Sequence, residues 1–323
     1  MACVIVGAPA VPGGNGARTR ENCRAVPPVS NQNTDDLRLG ATLMCVAMFM
    51  AACVDVAVKA LAGSYGTAQI VLLRIVLSLP LVLTFCHLQG GLRSLLTPQW
   101  GWQTYRGLLA AGANFGFFYS LSQLPLMTAV LLAYVSPVMI VLLARPLLGE
   151  QIGPHRWLGV GVAVGGVLLM LGPGVPGIVP EAPLSGPALG ALAVLGSALC
   201  WALLSLSNRQ LATRESPATM LFYTLPVSGL LAAALAADEW VPPAAGDWLW
   251  FLLAGCCGGG IHFSIVLAYR HAPAGAIAPL EYTNLIWAAL GAYALFGEVP
   301  NVSAVLGGGA IIVGGYLALR ARS

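Results

Sequence analysis

Apolar runs, each about as long as a lipid bilayer is thick, follow one another along the chain from residue 39 onward. A helix that crosses the hydrocarbon core needs about 20 mostly apolar residues. The pattern therefore predicts ten membrane-spanning helices, with bounds near 39–61, 68–88, 105–124, 126–148, 157–173, 187–207, 217–237, 248–269, 273–296 and 302–319. The predicted fold class is an all-α polytopic membrane protein.

The composition excludes a soluble globular protein. Only 8% of the residues are charged and 58% are hydrophobic, whereas soluble domains carry about 25% charged residues. A net charge of +3 gives no sign of nucleic-acid binding. The eight cysteines form no CxxC pair and the four histidines are scattered, so we expect no disulfide framework, no metal site and no cofactor.

Residues 1–37 differ from the rest of the chain, because they are rich in Gly, Pro, Asn and Arg and lack helical periodicity. This composition predicts a flexible N-terminal tail. The opening residues have no basic stretch before the apolar run, and Pro and Gly interrupt that run, so a cleaved signal peptide is not predicted. A start codon chosen too far upstream would give the same kind of tail.

The distribution of basic residues predicts the orientation of the spans. Lys and Arg accumulate in the loops that stay in the cytoplasm. If the tail is inside and ten spans alternate, thirteen of the fifteen basic residues lie in cytoplasmic segments, while Lys59 and Arg74 lie within spans. The pattern predicts a protein of the plasma (bacterial inner) membrane with both termini in the cytoplasm.

An internal repeat divides the chain into two halves. A shift of 148 positions aligns residues 107–169 with 255–317 without a gap, and the matching positions include Gly112/Gly260, Phe115/Phe263, Pro125/Pro273, Tyr134/Tyr282, Gly149-Glu150/Gly297-Glu298, Gly159/Gly307 and Gly166/Gly314. The repeat predicts two five-span domains, 38–173 and 184–320. Because five is odd, the second must enter the membrane from the opposite side. Inverted repeats are typical of secondary transporters, whose substrate site lies near the midplane.

Glycines four residues apart recur along the spans, at Gly112/Gly116, Gly161/Gly165, Gly186/Gly190 and Gly255/Gly259. Small residues at this spacing let two helices approach closely in lipid. The pattern predicts a tightly packed bundle, although a chain with 39 glycines also produces such pairs by composition.

Two segments, YSLSQLPLMTAVLLAYVSPVMIVLLARPLLGE and AYRHAPAGAIAPLEYTNLIWAALGAYALFGE, each precede a Gly-rich span. They resemble the paired EamA repeats of the drug/metabolite transporter superfamily, and the resemblance extends over about residues 39–320. It implies a ten-helix metabolite carrier whose first four helices per half line a central cavity, with the fifth helices at the periphery. A basic residue in the second span is typical of the family and is matched by Arg74. The PLEYT segment looks like carriers assigned to riboflavin or S-adenosylmethionine.

Charged residues inside spans are costly and by default mark a pathway or a buried pair. Asp55 and Lys59 are four residues apart on the first span, so they could pair with each other; alternatively, Lys59 attracts an anionic group at the outer mouth. Arg74 needs a partner, which could be Asp55 or a substrate carboxylate or phosphate. Glu150 and Glu298 end the fourth and ninth spans and are interpreted as caps or gate contacts rather than substrate ligands.

Polar residues near the middle of the spans complete the predicted substrate site. Glu281 lies in the ninth span and is a candidate for proton coupling or for binding a substrate amine; alternatively, it is a protonated acid bonded to a neighbouring helix. Asn114 and His262 are repeat equivalents, expected at a shared site or as contacts between helices. Tyr134 and Tyr282 are also equivalents, with rings and hydroxyls suited to a planar substrate.

The function predicted from these features is secondary transport by alternating access, either coupled to protons or by exchange. The substrate would be a small polar or amphipathic metabolite, such as a riboflavin-like or S-adenosylmethionine-like compound or an amino acid. A membrane-embedded enzyme or an adaptor without transport activity is the alternative, although no enzyme motif such as HExxH or GxSxG occurs. The expected partners are the lipid bilayer and this metabolite, but no nucleic acid, and the sequence leaves open a monomer or a homodimer.

Overall fold

The computed structural model describes residues 34–90, 99–148, 154–171, 186–211, 217–237, 239–272 and 278–320. In these ranges the chain is helical, with one 3-10 helix at Ala278–Tyr282 and the α-helices α1 Thr34–Leu61, α2 Thr67–Gly90, α3 Trp100–Gln123, α4 Leu126–Ala133, α5 Ser136–Leu148, α6 Pro154–Leu171, α7 Gly186–Leu211, α8 Pro217–Ala236, α9 Trp248–His271, α10 Thr283–Phe296 and α11 Val302–Arg320. The all-α prediction is confirmed for these residues.

The first helix begins earlier than the sequence predicted. We placed the end of the flexible tail at residue 37, but α1 starts at Thr34. Asp36 lies in its first turn, where a carboxylate interacts favourably with the partial positive charge of a helix N-terminus. Residues 1–33 of the predicted tail lie outside the described residues.

Six helical segments in the described ranges are long and apolar enough to cross a membrane, namely Asp36–Leu61, Thr67–His87, Leu126–Leu143, Gly186–Asn208, Thr219–Ala236 and Trp248–Ala268. Two shorter apolar helices, Trp157–Met170 and Val302–Leu317, accompany them. The chain is therefore a multi-pass membrane protein. The count of ten spans stays a prediction.

The fourth predicted span, 126–148, is not one continuous helix. It breaks at Tyr134, which ends α4, and α5 resumes at Ser136. Pro137 explains the break, because a proline ring has no N–H to donate to the preceding turn and disfavours helical geometry in the residue before it. At the break the backbone hydrogen bond links residues three apart instead of the four of an α-helix, with Val135 N donating to Leu132 O over 3.1 Å.

The ninth predicted span is interrupted as well. Residues 273–277 lie outside the described residues, Ala278–Tyr282 form the 3-10 helix, and α10 begins at Thr283. Pro279 lies within the 3-10 helix. The fourth predicted span is therefore broken at Tyr134, after α4, and the ninth at Tyr282, before α10. These two tyrosines are separated by the same 148 positions as the sequence repeat.

Helices that are distant in sequence pack against one another. The most extensive contacts join α1 to α9, α6 to α11 and α3 to α7, and α2 lies against both α8 and α9. In addition, α10 contacts α1 and α4, and α5 contacts α7. The bundle therefore interleaves the first and second parts of the chain, and the breaks at Tyr134 and Tyr282 lie where α4 and α10 meet.

Glycines allow a close backbone contact between α6 and α11. A Cβ added to Gly166 would lie 2.5 Å from the Gly307 carbonyl oxygen, and one added to Gly314 would lie 2.5 Å from the Gly159 carbonyl oxygen. Neither position can carry a side chain without moving the backbones apart. The sequence pattern had pointed to Gly161/Gly165 on α6 instead, but a Cβ at either of these positions would meet no atom within 4 Å.

Candidate functional site

Arg74, on α2, lies at the centre of a group of polar side chains. Its Nη2 donates a hydrogen bond of 2.9 Å to Asn114 Oδ1 on α3, and Asn114 in turn donates to the Ala110 carbonyl oxygen over 2.8 Å. The guanidinium carbon lies 5.1 Å from the centroid of the Phe118 ring, a cation–π distance. Arg74 Nε is buried and has no hydrogen-bond partner.

Asp55, on α1, interacts with Asn284 at the start of α10 and with the charge of Arg74. The sequence offered Lys59 as a partner for Asp55, but in the structure the ion pair of Lys59 is with Glu298. The physical reason is that Lys59 lies near the end of α1, where its long side chain reaches the segment after α10. Asp55 is left facing the interior of the bundle.

Tyr134 and Tyr282 come together at the two helix breaks. Their ring centroids are 5.7 Å apart and the ring planes differ by 27°, so the rings are stacked. The Tyr134 hydroxyl donates to the Glu281 carbonyl oxygen over 3.1 Å and also interacts with Asn284. This geometry agrees with the sequence interpretation that the two tyrosines are equivalents at one place.

Glu281 does not lie in the middle of a continuous span, as the sequence suggested. It belongs to the 3-10 helix, and its side chain is exposed. His262, on α9, is exposed too and lies within electrostatic range of Arg74. Of these two repeat equivalents, Asn114 accepts a hydrogen bond from Arg74, whereas His262 lies within range of its charge.

Asn284 is a member of this group that the sequence analysis missed. Its side chain is 9% exposed, and its Oδ1 has no hydrogen-bond partner. The signal was present, because Asn284 is a polar residue in the first turn of a helix that is apolar after that turn. We use the term central cluster for the six residues Asp55, Arg74, Asn114, Tyr134, Tyr282 and Asn284.

A second polar contact joins Lys59 to Glu298. Lys59 Nζ lies 3.3 Å from Glu298 Oε1 and also donates to the Leu124 carbonyl oxygen. Glu298 Oε2 accepts a hydrogen bond of 2.7 Å from the backbone N of Leu126, the first residue of α4. The interpretation of Glu298 as a cap or a gate contact thus agrees with the cap that it forms on α4. Its repeat equivalent Glu150 lies outside the described residues.

The central cluster combines chemical groups that can bind a small polar molecule. It holds one carboxylate, one guanidinium, two amides and a pair of stacked phenol rings, drawn from α1, α2, α3, the start of α10 and the two breaks. In the described residues, no group of three or more His, Cys, Asp or Glu side chains is arranged to hold a metal ion.

Comparison with known proteins assigns the chain to a family. The sequence profile of the EamA-like transporter family matches twice, over residues 38–172 and 188–320. A crystal structure with 21% sequence identity superposes with a TM-score of 0.61, covering 90% of this chain and all of the other, so the two share a fold.

Three curated relatives carry transporter names. The S-adenosylmethionine uptake transporter of Rickettsia prowazekii is 30% identical over 64% of this chain and 67% of its own. The riboflavin transporter of Rhizobium johnstonii is 32% identical, covering 67% and 68% of the two chains. The pseudopaline exporter of Pseudomonas aeruginosa is 27% identical, covering 86% and 95%. The family and these names indicate a transporter rather than an enzyme, and the chain belongs to the EamA-like transporter family of membrane proteins.

Proposed function

We propose that this protein is a secondary transporter that carries a small polar or amphipathic metabolite across the membrane by alternating access. The central cluster is the proposed substrate site. The observation that carries the proposal is the placement of Asp55 beside Asn284 at the start of α10, within electrostatic range of both Arg74 and Tyr134, the residue at the break after α4.

Interrupted helices support this assignment on physical grounds. Backbone groups that leave the helical pattern need other partners within the membrane, and such backbone is tolerated only in the protein interior or beside a water-filled cavity. Transporters place substrate sites at discontinuous helices in corresponding positions of two halves. Tyr134 and Tyr282 are such corresponding positions, and their rings meet.

The packing of the helices supports two inverted five-helix halves. If α1–α6 form the first half and the remaining helices the second, then α7 corresponds to α1 and α9 to α3. The contact of α1 with α9 then has its counterpart in the contact of α7 with α3, and the contact of α1 with α10 has its counterpart in that of α7 with α5. Such reciprocity is expected of two like halves in opposite orientations. We propose ten spans in the plasma membrane with both termini in the cytoplasm.

The names of the relatives suggest which compounds to test first as substrates. They are named for S-adenosylmethionine, riboflavin and pseudopaline, so we propose a metabolite of this size as the cargo, with S-adenosylmethionine and riboflavin as the first compounds to test. Both contain planar nitrogen heterocycles, which the rings of Tyr134 and Tyr282 could contact.

Transport by the purified protein tests the proposal. Proteoliposomes should take up a labelled substrate saturably, and unlabelled substrate on the opposite side should accelerate the exchange. Replacement of Arg74 by Ala should lower the rate at least about tenfold, because it removes a charge-assisted interaction with the substrate. Arg38→Ala is the matched control, since Arg38 is exposed near the start of α1. Uptake that never saturates, or that is equal in the Arg74 variant, would contradict the proposal.

The inverted arrangement has its own test. Single cysteines are introduced into a cysteine-free background at positions 151 and 299. These positions directly follow the equivalent Gly-Glu pairs of the two halves. Val299 is 73% exposed and therefore accessible to reagents. A membrane-impermeant maleimide added outside intact cells should label position 299 and leave position 151 unlabelled until the cells are opened. Labelling of both from the same side would rule out inverted halves.

A further inference from the structure

Three sulfur-containing side chains meet where α1 packs against α9. The thiols of Cys53 on α1 and Cys257 on α9 share a hydrogen bond, and both thiols are free and partly buried. Met50 lies three residues before Cys53, and its Sδ would lie 2.9 Å from a Cβ added to Gly260. Gly260 in turn lies three residues after Cys257, so the thioether reaches the same surface of α9, one helical turn from the two thiols. We use the term sulfur group for Met50, Cys53 and Cys257.

The packing of the two helices explains why these side chains come together. A Cβ added to Gly40 on α1 would lie 2.5 Å from the Cβ of Ala268 on α9, whereas Met50 faces Gly260. Position numbers on α9 therefore fall as those on α1 rise, which means that the two helices are antiparallel. Residues three apart on one helix then face residues three apart on the other. The missing side chain at Gly260 leaves the space that the thioether occupies.

We propose that the sulfur group is a binding site for one soft monovalent metal ion of the Cu(I) and Ag(I) class. Thiolate and thioether sulfurs select such ions over harder divalent ions. On binding, the two thiols lose their protons to the solvent, two metal–thiolate bonds form, and the thioether of Met50 is the third ligand. The bound ion bridges α1 and α9. This inference goes beyond the proposed function, because it requires neither a substrate nor a transport cycle.

The ligand types in the sulfur group favour Cu(I) over Zn²⁺. Structural zinc sites take four ligands from Cys, His and carboxylate side chains. In the part of the chain that the structure describes, no three such side chains are arranged to hold a metal ion. A thioether, by contrast, is a ligand that suits Cu(I). The sequence expectation of no metal site rested on the lack of CxxC pairs, and such local spacing carries no information about ligands from two distant helices.

Arg74 supplies a positive charge close to the site. Two thiolates and one monovalent cation carry one net negative charge, which is costly inside a membrane without a counter-charge. Arg74 Nη1 would lie 3.3 Å from a Cβ added to Gly258, the residue that follows Cys257. The charge of Asp55 also reaches Cys53 and acts against thiolate formation there. The metal ion is therefore needed to hold both thiols in the deprotonated form.

Competition for Cu(I) tests the site in the purified full-length protein. The protein in detergent is titrated, with ascorbate and without oxygen, into the coloured Cu(I) complex of bicinchoninate, and the loss of colour measures the Cu(I) that the protein binds. We expect the unaltered protein to withdraw one equivalent. Cys53→Ser and Cys257→Ser should each weaken binding at least about a hundredfold, because the loss of a group that only supports a metal ligand already costs about 10–100-fold.

Two further variants sharpen the assignment. Met50→Leu keeps the size of the side chain and removes only an uncharged ligand, so the affinity should fall by about tenfold, the lower end of the same range. Cys256→Ser is the matched control, since Cys256 is the neighbouring thiol on α9 but is exposed. This variant should bind Cu(I) as tightly as the unaltered protein does.

Stability and thiol reactivity give readouts that do not depend on any one variant. An ion that binds only the folded state raises the unfolding temperature, so one equivalent of Ag(I) should do this for the unaltered protein and for Cys256→Ser. It should not do so for Cys53→Ser, or for Cys53→Ala if the serine variant does not fold. In the unaltered protein, Ag(I) should protect Cys53 and Cys257 from a small maleimide more than it protects Cys256, as measured by mass spectrometry of the peptides.

Four results would overturn the proposed metal site. The first is Cu(I) binding that is unchanged in Cys53→Ser or Cys257→Ser, and the second is an equal loss of binding in Cys256→Ser. The third is displacement of Cu(I) by an equal concentration of Zn²⁺. The fourth is the loss of both thiols to a disulfide, restored by a reductant, with no copper bound.

Protection of Cys256 to the same degree as Cys53 and Cys257 would also contradict the site, because the ion would then bind exposed thiols without selection.

Discussion

Lys59 and Glu298 join the end of α1 to the segment that follows α10, with Lys59 Nζ 3.3 Å from Glu298 Oε1. Both side chains are largely buried, and Glu298 also accepts the hydrogen bond from Leu126 N at the start of α4. One carboxylate therefore connects three helices, two from the first part of the chain and one from the second. The contact therefore ties the end of α1 to the start of α4 and to the segment after α10.

The first prediction concerns the energy of this contact. Lys59→Ala should lower the free energy of unfolding by about 1–3 kcal/mol, between the values for exposed and fully buried pairs, because Glu298 loses its counter-ion. Thermal unfolding in detergent is measured for Lys59→Ala, for Glu298→Gln and for the double variant. The three changes in stability together give the coupling energy. The pair His271–Asp36, at 4.0 Å and more exposed, is the control and should couple by less than about 1 kcal/mol. Additive effects of the Lys59 and Glu298 changes would show that the two side chains do not interact.

The second prediction concerns the stacked tyrosines. Tyr282→Ala removes one ring of the pair and should raise the half-saturation concentration for uptake by up to about tenfold, since an aromatic contact contributes about 0.5–1.5 kcal/mol beyond its buried area. Tyr134→Phe keeps the ring and loses only the hydroxyl bond to the Glu281 carbonyl oxygen, so its effect should be smaller. Substrate-concentration curves in proteoliposomes measure both.

Tyr293→Ala is the matched control for the tyrosine variants, because Tyr293 is on α10 but its side chain is 65% exposed. Its half-saturation concentration should equal that of the unaltered protein. If Tyr282→Ala left this concentration unchanged as well, the two rings would lie outside the substrate path, and the proposed site would need to be moved.

The sequence predicted the fold at the level of helices and their order, for a clear physical reason. Lipid requires long apolar runs with internally satisfied backbone groups, so hydropathy alone places α1, α2, α7, α8 and α9 within a few residues of their observed ends. The break at Tyr134 was missed because the run 126–148 is mostly apolar on both sides of it, and hydropathy carries no information about the missing N–H of Pro137.

Most members of the central cluster were predicted, but Asn284 was missed, Lys59, His262 and Glu281 lie outside the cluster, and the pairings were not predicted. Arg74, Asp55 and Asn114 were named from the cost of polar groups in lipid, and they do lie together. Which residue contacts which depends on helix rotation and on side-chain reach, and neither can be read from one sequence. Lys59 and Glu298 show this well, because they are 239 positions apart, and the sequence offered the nearer Asp55 as the partner.

The third prediction concerns Arg106, which the sequence analysis had placed in a cytoplasmic segment. Its side chain is 3% exposed, and its Nε and Nη2 donate to Asn208 Oδ1 over 2.9 and 2.7 Å. Its Nη1 donates to Gln103 and to the Met220 carbonyl oxygen. Arg106 thereby joins α3, α7 and α8.

Arg106→Ala should lower the free energy of unfolding by about 3 kcal/mol, because several buried acceptors lose their donor. Arg106→Lys should recover only part of this loss, since an ammonium cannot bond to these acceptors in the same fork geometry. Arg38→Ala, a change on the exposed face of α1, should have an effect below about 0.5 kcal/mol. Thermal unfolding in detergent ranks the three variants. An Arg106→Ala protein as stable as the Arg38→Ala protein would contradict a structural role for the buried guanidinium.

The fourth prediction concerns the contact between α6 and α11. Gly166→Ala would force a Cβ to within 2.5 Å of the Gly307 carbonyl oxygen, so the two helices would have to separate along this contact. We expect a loss of about 1–3 kcal/mol, as for other overpacked contacts. Gly161→Ala and Gly165→Ala are controls on the same helix, and because a Cβ there meets no neighbour, they should be neutral or stabilise the helix by up to about 1 kcal/mol. Unfolding temperatures in detergent test the pattern, and a Gly166→Ala protein that is as stable as the two controls would mean that α6 and α11 do not pack as closely as described.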